Sequence, residues 1–413
     1  MAIQGFRHDE NFIATQRPQN WRQTILLLYP NSAEAAKAPL TALCSMMKEE
    51  STDDPVFHWF TKNLDARRLK ISADLTNVAT SISVDPAFQT ALIVKAGDML
   101  FIEQTGEIVR VSADPAANNA ITVTRAQAGT SGTAVTILTS NPWINVIGSS
   151  FEEGSLPPTS VAYDPVEINN FTQIFRSTLA ITRTAAKTRL RTGDAVAEAK
   201  RECLEYFSID MERAFWFNGA KALVTINGLP ARLTAGILNQ ILAGAPQNII
   251  AAPAGGLIDM DWIEQNFELA FRFGSSEKMM FGSNKLLMAI GAAVRKNSVY
   301  NIQNGLKEYG MRVSRITTPF GEVVFKVHPL FNQMQGGTTG GGSQFLSIAN
   351  NGYLLDMTHL RYRYITDIKY EPDLTPVGLD GQKSGYLAEC GLELHHPLAH
   401  FIFTGITGGA LDQ

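Results

Sequence analysis

The strongest pattern along the chain is helical and lies between residues 194 and 217, where Val196, Ala199, Cys203, Tyr206, Phe207, Met211, Ala214 and Phe215 keep to one broad face. Apolar residues recurring three and four positions apart mark one stripe of an α-helix, because 3.6 residues complete a turn. Asp194 stands where an N-cap accepts backbone N–H groups, and Asn218-Gly219 supplies a stop. At 1.5 Å per residue such a helix runs on the order of 35 Å, about a domain diameter. It predicts a spine on which other elements pack. Shorter helical patterns follow from Asp259 to Phe273, closed by Gly274, and from Ser283 to Val294, with Leu286, Leu287, Ile290 and Val294 on one side. Another helix fits from Pro39, through Leu40, Leu43, Cys44 and Met47, to a stop near Ser51.

Elsewhere the period is that of strands. Residues 56 to 84 alternate, with Phe57, Trp59 and Phe60 ahead of a basic cluster at Arg67, Arg68 and Lys70. Short β-rich pieces then follow at Leu92 to Val94, Met99 to Ile102, Ile108 to Val111, Ile121 to Val123 and Val135 to Leu138, separated by turn residues such as Gly97-Asp98 and Thr105-Gly106. Such spacing predicts a small barrel or sandwich inserted into another element. Val313 to Ile316 and Val323 to Val327 read as a hairpin around Thr318-Pro319-Phe320-Gly321. Beyond the glycine-rich stretch Gln335 to Ser343, strands are expected at Phe345 to Ile348, Tyr353 to Leu355, Leu360 to Ile365, Tyr386 to Leu394 and His400 to Phe403. The mixture predicts an α+β fold with no βαβ repeat of the dinucleotide-binding kind.

Composition narrows the function. With 413 residues, 45% hydrophobic and 18% charged, the chain is long enough for two or three domains and too apolar for extended disorder. A formal net charge of −4 excludes a surface that works by neutralising phosphates in bulk. Cys44, Cys203 and Cys390 are few, odd in number and scattered, which fits a reducing compartment and buried thiols. Neither a signal peptide nor an apolar run of about 20 residues is visible, so the expectation is a soluble protein used without export.

The search for chemistry is mostly negative. The glycine-rich stretch lacks the Gly-Lys-Ser/Thr ending of a phosphate cradle and precedes a strand. His395, His396 and His400 could share a metal in principle, but Pro397 breaks any helix that would bring them together, and the reading is ordinary strand-end histidines. Ser45 to Lys48 and Ser275 to Lys278 match the Ser-x-x-Lys spacing of some hydrolases without the companion motifs. No cofactor is expected. Basic residues gather at Arg183, Lys187, Arg189 and Arg191, and at Arg361 and Arg363, and read as a solvated face, as a surface pairing with an acidic patch on a neighbour, or as a place of loose contact with phosphate.

One resemblance extends over most of the chain. It is carried by Phe151-Glu152-Glu153-Gly154, by Asn169 to Phe175, by the helix ending Glu212 to Gly219, and by Tyr309-Gly310 leading through the hairpin turn to His328-Pro329-Leu330-Phe331. Their order resembles the major capsid proteins of tailed bacteriophages, the Hong Kong ninety-seven type of capsid fold. The resemblance implies an N-terminal arm at 1–50 and an extended loop at 51–84 and 146–170. An inserted β-module would occupy 85–145, a peripheral domain with the spine helix 171–238 and 385–413, and an axial domain 239–384.

The same resemblance implies a non-enzymatic shell subunit that forms hexamers and pentamers of itself around the double-stranded DNA of a tailed phage. Its partners would be a portal protein, a decoration or scaffolding protein, and packaged DNA in non-specific contact, without a membrane. Phe57, Trp59, Arg67 and Arg68 are the expected contacts between copies, and Trp59→Ala is expected to impair assembly more than folding. Physical reasoning agrees, because an arm and a long loop expose backbone groups and apolar side chains that one subunit can hardly cover. Two other readings stay open, a cellular nanocompartment shell enclosing a cargo enzyme and a soluble hydrolase using Ser45, Ser275 or a metal at the histidines.

Overall fold

The structure is a computed structural model that describes residues 48–62, 67–86, 93–137, 142–160, 162, 164–188, 194–296, 303–308, 311–328, 330–331 and 348–409. The expected arm up to residue 47, with Cys44 and Ser45, the glycine-rich stretch 335–343, and Arg189 and Arg191 lie outside these residues. The chain divides into two compact units, one formed by residues 60–167 and the other by the rest.

The larger unit is built on the spine. The helix Ala195–Phe217 begins at Asp194, whose carboxylate accepts the Val196 N–H at 3.0 Å, and ends where Asn218 N–H donates to the Ala214 carbonyl. Phe207, Met211, Phe215 and Trp216 form its buried stripe and pack on Phe175, Tyr362, Ala388 and Leu392. Those partners belong to a four-stranded sheet ordered Lys48–Ser51, Leu360–Glu371, Gly381–Leu394, Gln173–Thr182. Tyr206, expected on the buried face, is instead 67% exposed, because it sits one residue and 100° from Phe207, off the stripe.

A seven-stranded sheet forms the second layer, ordered Ile249–Ala251, Phe401–Thr404, Gly352–Leu355, Glu277–Gly282, Gly321–Val327, Met311–Thr318, Gln303–Glu308. Two helices, Met260–Ala270 and Asn284–Lys296, cover it through Ile263, Phe267, Leu286 and Ile290. At Gly282 the sheet and the second helix approach closely, and a Cβ there would lie 2.2 Å from Cδ2 of Leu286, so that side chain would have to move. The first of these helices takes Asp259 as its cap and stops three residues before the expected Phe273. The expected hairpin turn is present, with Thr318 opposite Gly321 and the threonine hydroxyl donating to the glycine carbonyl at 2.8 Å.

Residues 48–51, expected at the end of a helix, form an edge strand parallel to Leu360–Glu371. The physical reason is a partner that spacing cannot reveal, because Glu50 accepts from both Arg361 at 2.6 Å and Arg363 at 2.7 Å. The spine helix is followed by a separate hairpin, Ala222–Ile226 with Leu229–Leu233, that the sequence reading passed over. Its turn, Asn227-Gly228, has φ of 52° and 78°, the left-handed pair that this dipeptide favours.

The smaller unit is a six-stranded sheet ordered Arg68–Lys70, Trp143–Ser149, Asp98–Ile102, Ile108–Val111, Ala120–Thr124, Ser81–Ser83. The bridge between Ile71 and Val84 joins its two edge strands, so the sheet closes into a barrel. Inward positions come in pairs two residues apart, Leu69/Ile71, Ile82/Val84, Leu100/Ile102, Val109/Val111 and Ile121/Val123. Two of those pairs precede residue 85, so the barrel takes in stretches that the sequence reading gave to the extended loop. Val135, expected in a strand, forms only a bridge with Leu75. A buried ion pair closes one loop of the barrel. Glu107 receives both Arg125 nitrogens at 2.7 and 2.5 Å together with the Ala126 and Thr133 N–H groups.

Candidate functional site

Phe57 and Trp59 lie on the strand Val56–Thr61, which pairs with Val166–Phe171. Alternation along a strand sends 57 and 59 to one face and 58 and 60 to the other. Phe57 and Trp59 are 5% and 7% exposed, stacked on each other at 6.0 Å, with the Trp59 ring 6.2 Å from His395. Gly391 leaves room for Phe57, whose ring carbon would lie 2.9 Å from a Cβ there. Their own chain thus covers both rings, which leaves little of either side chain for a neighbouring copy to meet. Phe60, on the opposite face, is 68% exposed.

The ground beneath Trp59 is charged and closely paired. His395 and Arg363 both hydrogen-bond the buried carboxylate of Glu393, and Arg363 reaches on to Glu50. Burial pushes the Glu393 carboxyl up, but the bonds from His395 and Arg363 outweigh it and hold the group below its ordinary range. The basic pair Arg361 and Arg363 is thus used inside the chain. Its job is to tie the edge strand Lys48–Ser51 to the sheet.

Arg67 and Arg68 belong to the barrel and keep 43% and 41% of their side chains exposed. Arg67 donates to Asp98 at 3.0 Å. Arg68 grips Glu103 with two bonds of 2.8 and 2.7 Å while its guanidinium lies 4.5 Å from the Trp143 ring centre. The Arg68 bond is the main reason that Glu103 titrates below the ordinary carboxylate range, against a smaller upward push from burial. Both arginines are paired with acidic side chains, with part of each left open to solvent.

Ser275 and the histidines, the described residues of the hydrolase reading, are engaged in structural contacts. The Ser275 hydroxyl donates to the Glu277 carbonyl at 2.6 Å, and Lys278 directs its ammonium to the carbonyls of Ala270, Phe273 and Ala399 at 2.6 to 2.8 Å. Desolvation lowers Lys278 to about 8, which the attraction of Asp356 only partly offsets. His400 is fully buried, accepts the Asp356 N–H and points its other nitrogen at the His395 carbonyl. Burial depresses it to about 3. Among the described residues no three His, Cys, Asp or Glu side chains come together as a metal site. No helix among them is long and apolar enough to cross a membrane.

A second buried pair sits under the spine helix. Glu212 accepts from Trp216 at 3.2 Å and meets His328 at 2.9 Å, and both residues are 0% exposed. Desolvation raises the Glu212 carboxyl in spite of the His328 contact. Sequence reading missed the pair, since nothing in the spacing of two residues 116 positions apart announces it.

Comparison with known proteins gives these features a class, the shell-forming capsid subunits of phages. The chain belongs to the SU10 major capsid protein family, whose model matches residues 23–407. It is 28% identical over 332 residues to the major capsid protein of Pseudomonas phage PaMx41, covering 78% of this chain and 76% of that one. Among solved structures it is similar to a capsid of a native GTA particle, at 10% identity and TM-score 0.45 over 96% of this chain and 97% of that one. A structure of Mycobacterium phage Bobi is similar at 8% identity and TM-score 0.44, over 96% and 97%. The SrpI encapsulin of Synechococcus elongatus PCC 7942 is similar at 11% identity and TM-score 0.43, over 60% and 79%. Family membership makes the chain a major capsid protein, a structural subunit of a phage shell, with the α+β fold of that class.

Proposed function

We propose that copies of this chain close into rings of six and of five, and that these rings tile the shell around the double-stranded DNA of a tailed phage. The observation that carries this reading is the division of one chain into two separately cored units, the barrel being inserted between Trp59 and Ile168. A subunit with two bodies on one chain can hold different neighbours with different surfaces, which heterologous ring contacts require. In this reading residues 1–50 are the arm and the strands around 56–61 and 166–171 are what remains of the extended loop. Residues 171–238 with 385–413 form the peripheral domain and 239–384 the axial one.

Arg67 and Arg68 of the barrel are the contacts between copies. Phe57 and Trp59 anchor the root of the loop. The shell assembles in the host cytoplasm, admits a portal protein at one vertex and has a surface for a decoration or scaffolding protein. A net charge of −4 on each chain leaves packaged DNA in loose, non-specific contact. Catalysis has no part in the role. Negative-stain microscopy of the purified chain tests the reading, with closed particles bearing sixfold and fivefold rings as the expected result. A chain that stays monomeric under every associating condition overturns it.

A further inference from the structure

The strand Lys48–Ser51 is an edge of its sheet, and its four residues, Lys-Glu-Glu-Ser, bring nothing apolar to it. Lys48, Glu49 and Ser51 are exposed and Glu50 is half-buried. Burial of side chains, which holds most strands in place, is missing here. The next strand differs, since Phe57 and Trp59 are covered. What keeps Lys48–Ser51 in position is its parallel ladder with Leu360–Glu371, the Thr52 N–H donated to the Tyr364 carbonyl at 2.9 Å, and one side chain. That side chain is Glu50. Its Oε1 accepts from Arg361 and its Oε2 from Arg363, two guanidinium groups that stand two positions apart and so share a face. Arg363 is steadied from behind by Glu393, which also takes His395. Lys48 lies opposite Arg361 in the ladder, a meeting of like charges that weakens this end. The ladder is also short, because the register of Leu360–Glu371 with its other neighbour shifts just past Tyr364, where the occupant ends.

We propose that the sheet edge at Arg361 and Arg363 is a slot that reads a carboxylate on an extended segment, and that Lys48–Ser51 is its reversible occupant, a latch that opens while the rest of the subunit stays folded. Backbone pairing supplies contact without regard to sequence, and the two guanidinium groups supply the choice. A glutamate opposite Arg363 meets both forks at once, whereas a neutral side chain there gives up both charge-assisted bonds. Opening uncovers no apolar surface and returns partly exposed ions to water, which places the strand at the low-stability end of the fold. It stops at Pro55, whose carbonyl accepts the Thr172 N–H at 2.9 Å, because beyond it Phe57 and Trp59 would have to be uncovered. A strand tethered so close to a fixed point returns at an effective concentration on the order of millimolar, so a free peptide competes poorly with it until its own carboxylate is removed. All these groups belong to one unit of one chain, so the latch does not depend on how copies assemble.

Hydrogen exchange and peptide binding on dissociated subunits of the purified chain test this. Glu50→Lys sets a further cation against Arg361 and Arg363, and Glu49→Lys makes the same charge change on the other side of the strand. In Glu50→Lys the stretch 48–52 should exchange at least tenfold faster than in the unsubstituted chain while 57–60 keeps its protection, and Glu49→Lys should exchange as the unsubstituted chain does. A fluorescent peptide of residues 46–54 should bind the Glu50→Lys chain at least tenfold more tightly than the unsubstituted chain, and at least tenfold more tightly than the same peptide carrying Gln in place of Glu50. Exchange at 48–52 within twofold of the unsubstituted chain overturns the proposal, as does equal acceleration in both variants. Loosening of 57–60 by the same factor overturns it too, since the strand then opens only with the body. Absence of peptide binding, or equal binding of the two peptides, denies the slot its carboxylate reading and has the same result. None of these outcomes requires a particle, so failure of the latch and failure of the shell reading are told apart.

Discussion

Trp59 shows how far one residue can be read. Alternation with Phe57 was legible as a shared inward face, but alternation states a face and not which molecule covers it. The structure supplies the owner, His395 and the sheet strand that carries Gly391. Trp59→Ala should therefore cost the subunit about 3–5 kcal/mol, read from its denaturant midpoint, rather than act first on assembly. His400 gives a pH prediction. Its folded value of about 3 lies below the ordinary 6.5, so the unfolded chain takes the proton first and stability is lost as pH falls from 6.5 toward 3. The slope is at most about 1.4 kcal/mol per pH unit. Asp356, Lys278 and His359 act on the same imidazole, and Glu212, raised when folded, contributes with the opposite sign. Urea unfolding at pH 6.5 and 5.5 isolates His400, because His400→Gln should flatten the difference by about 1 kcal/mol.

At the scale of elements, the spine helix was fully legible because its stripe, its aspartate cap and its asparagine stop all lie within one stretch of sequence. The strand Lys48–Ser51 was not, since its conformation depends on arginines more than 300 positions away. The Asn227-Gly228 hairpin was readable from its turn dipeptide and flanking apolar residues, and was overlooked. In the barrel, alternation gave the strands but hid the closure, which depends on Ile71 finding Val84. Nor could pattern show that Glu107 and Arg125 meet, buried, at one of its loops. Replacing Glu107 by Gln leaves the buried arginine without its counter-charge and should destabilise the barrel by about 3–5 kcal/mol. Hydrogen exchange of residues 98–124 measures this, and unchanged protection there would refute a structural role for the pair.

At the scale of the whole molecule, the family was legible from motifs in their order, while the ownership of contacts was not, because a single sequence does not say which surfaces its copies share. Arg67 and Arg68 are partly exposed but paired with Asp98 and Glu103, so the variant that tests them is Arg67→Gln/Arg68→Gln, which adds no like charge and should leave a folded subunit, its thermal midpoint serving as the control. Particle yield should fall at least tenfold, and a yield equal to that of the parent would remove them from the interface. The strands by which residues 60–167 leave and rejoin the sequence run side by side, and adjacent strands lie about 4.8 Å apart. A segment with such close ends is a cassette. Over generations it can be lost, enlarged or exchanged for another fold without rethreading the rest, and an engineer could splice in a different cargo-displaying domain at the same two points.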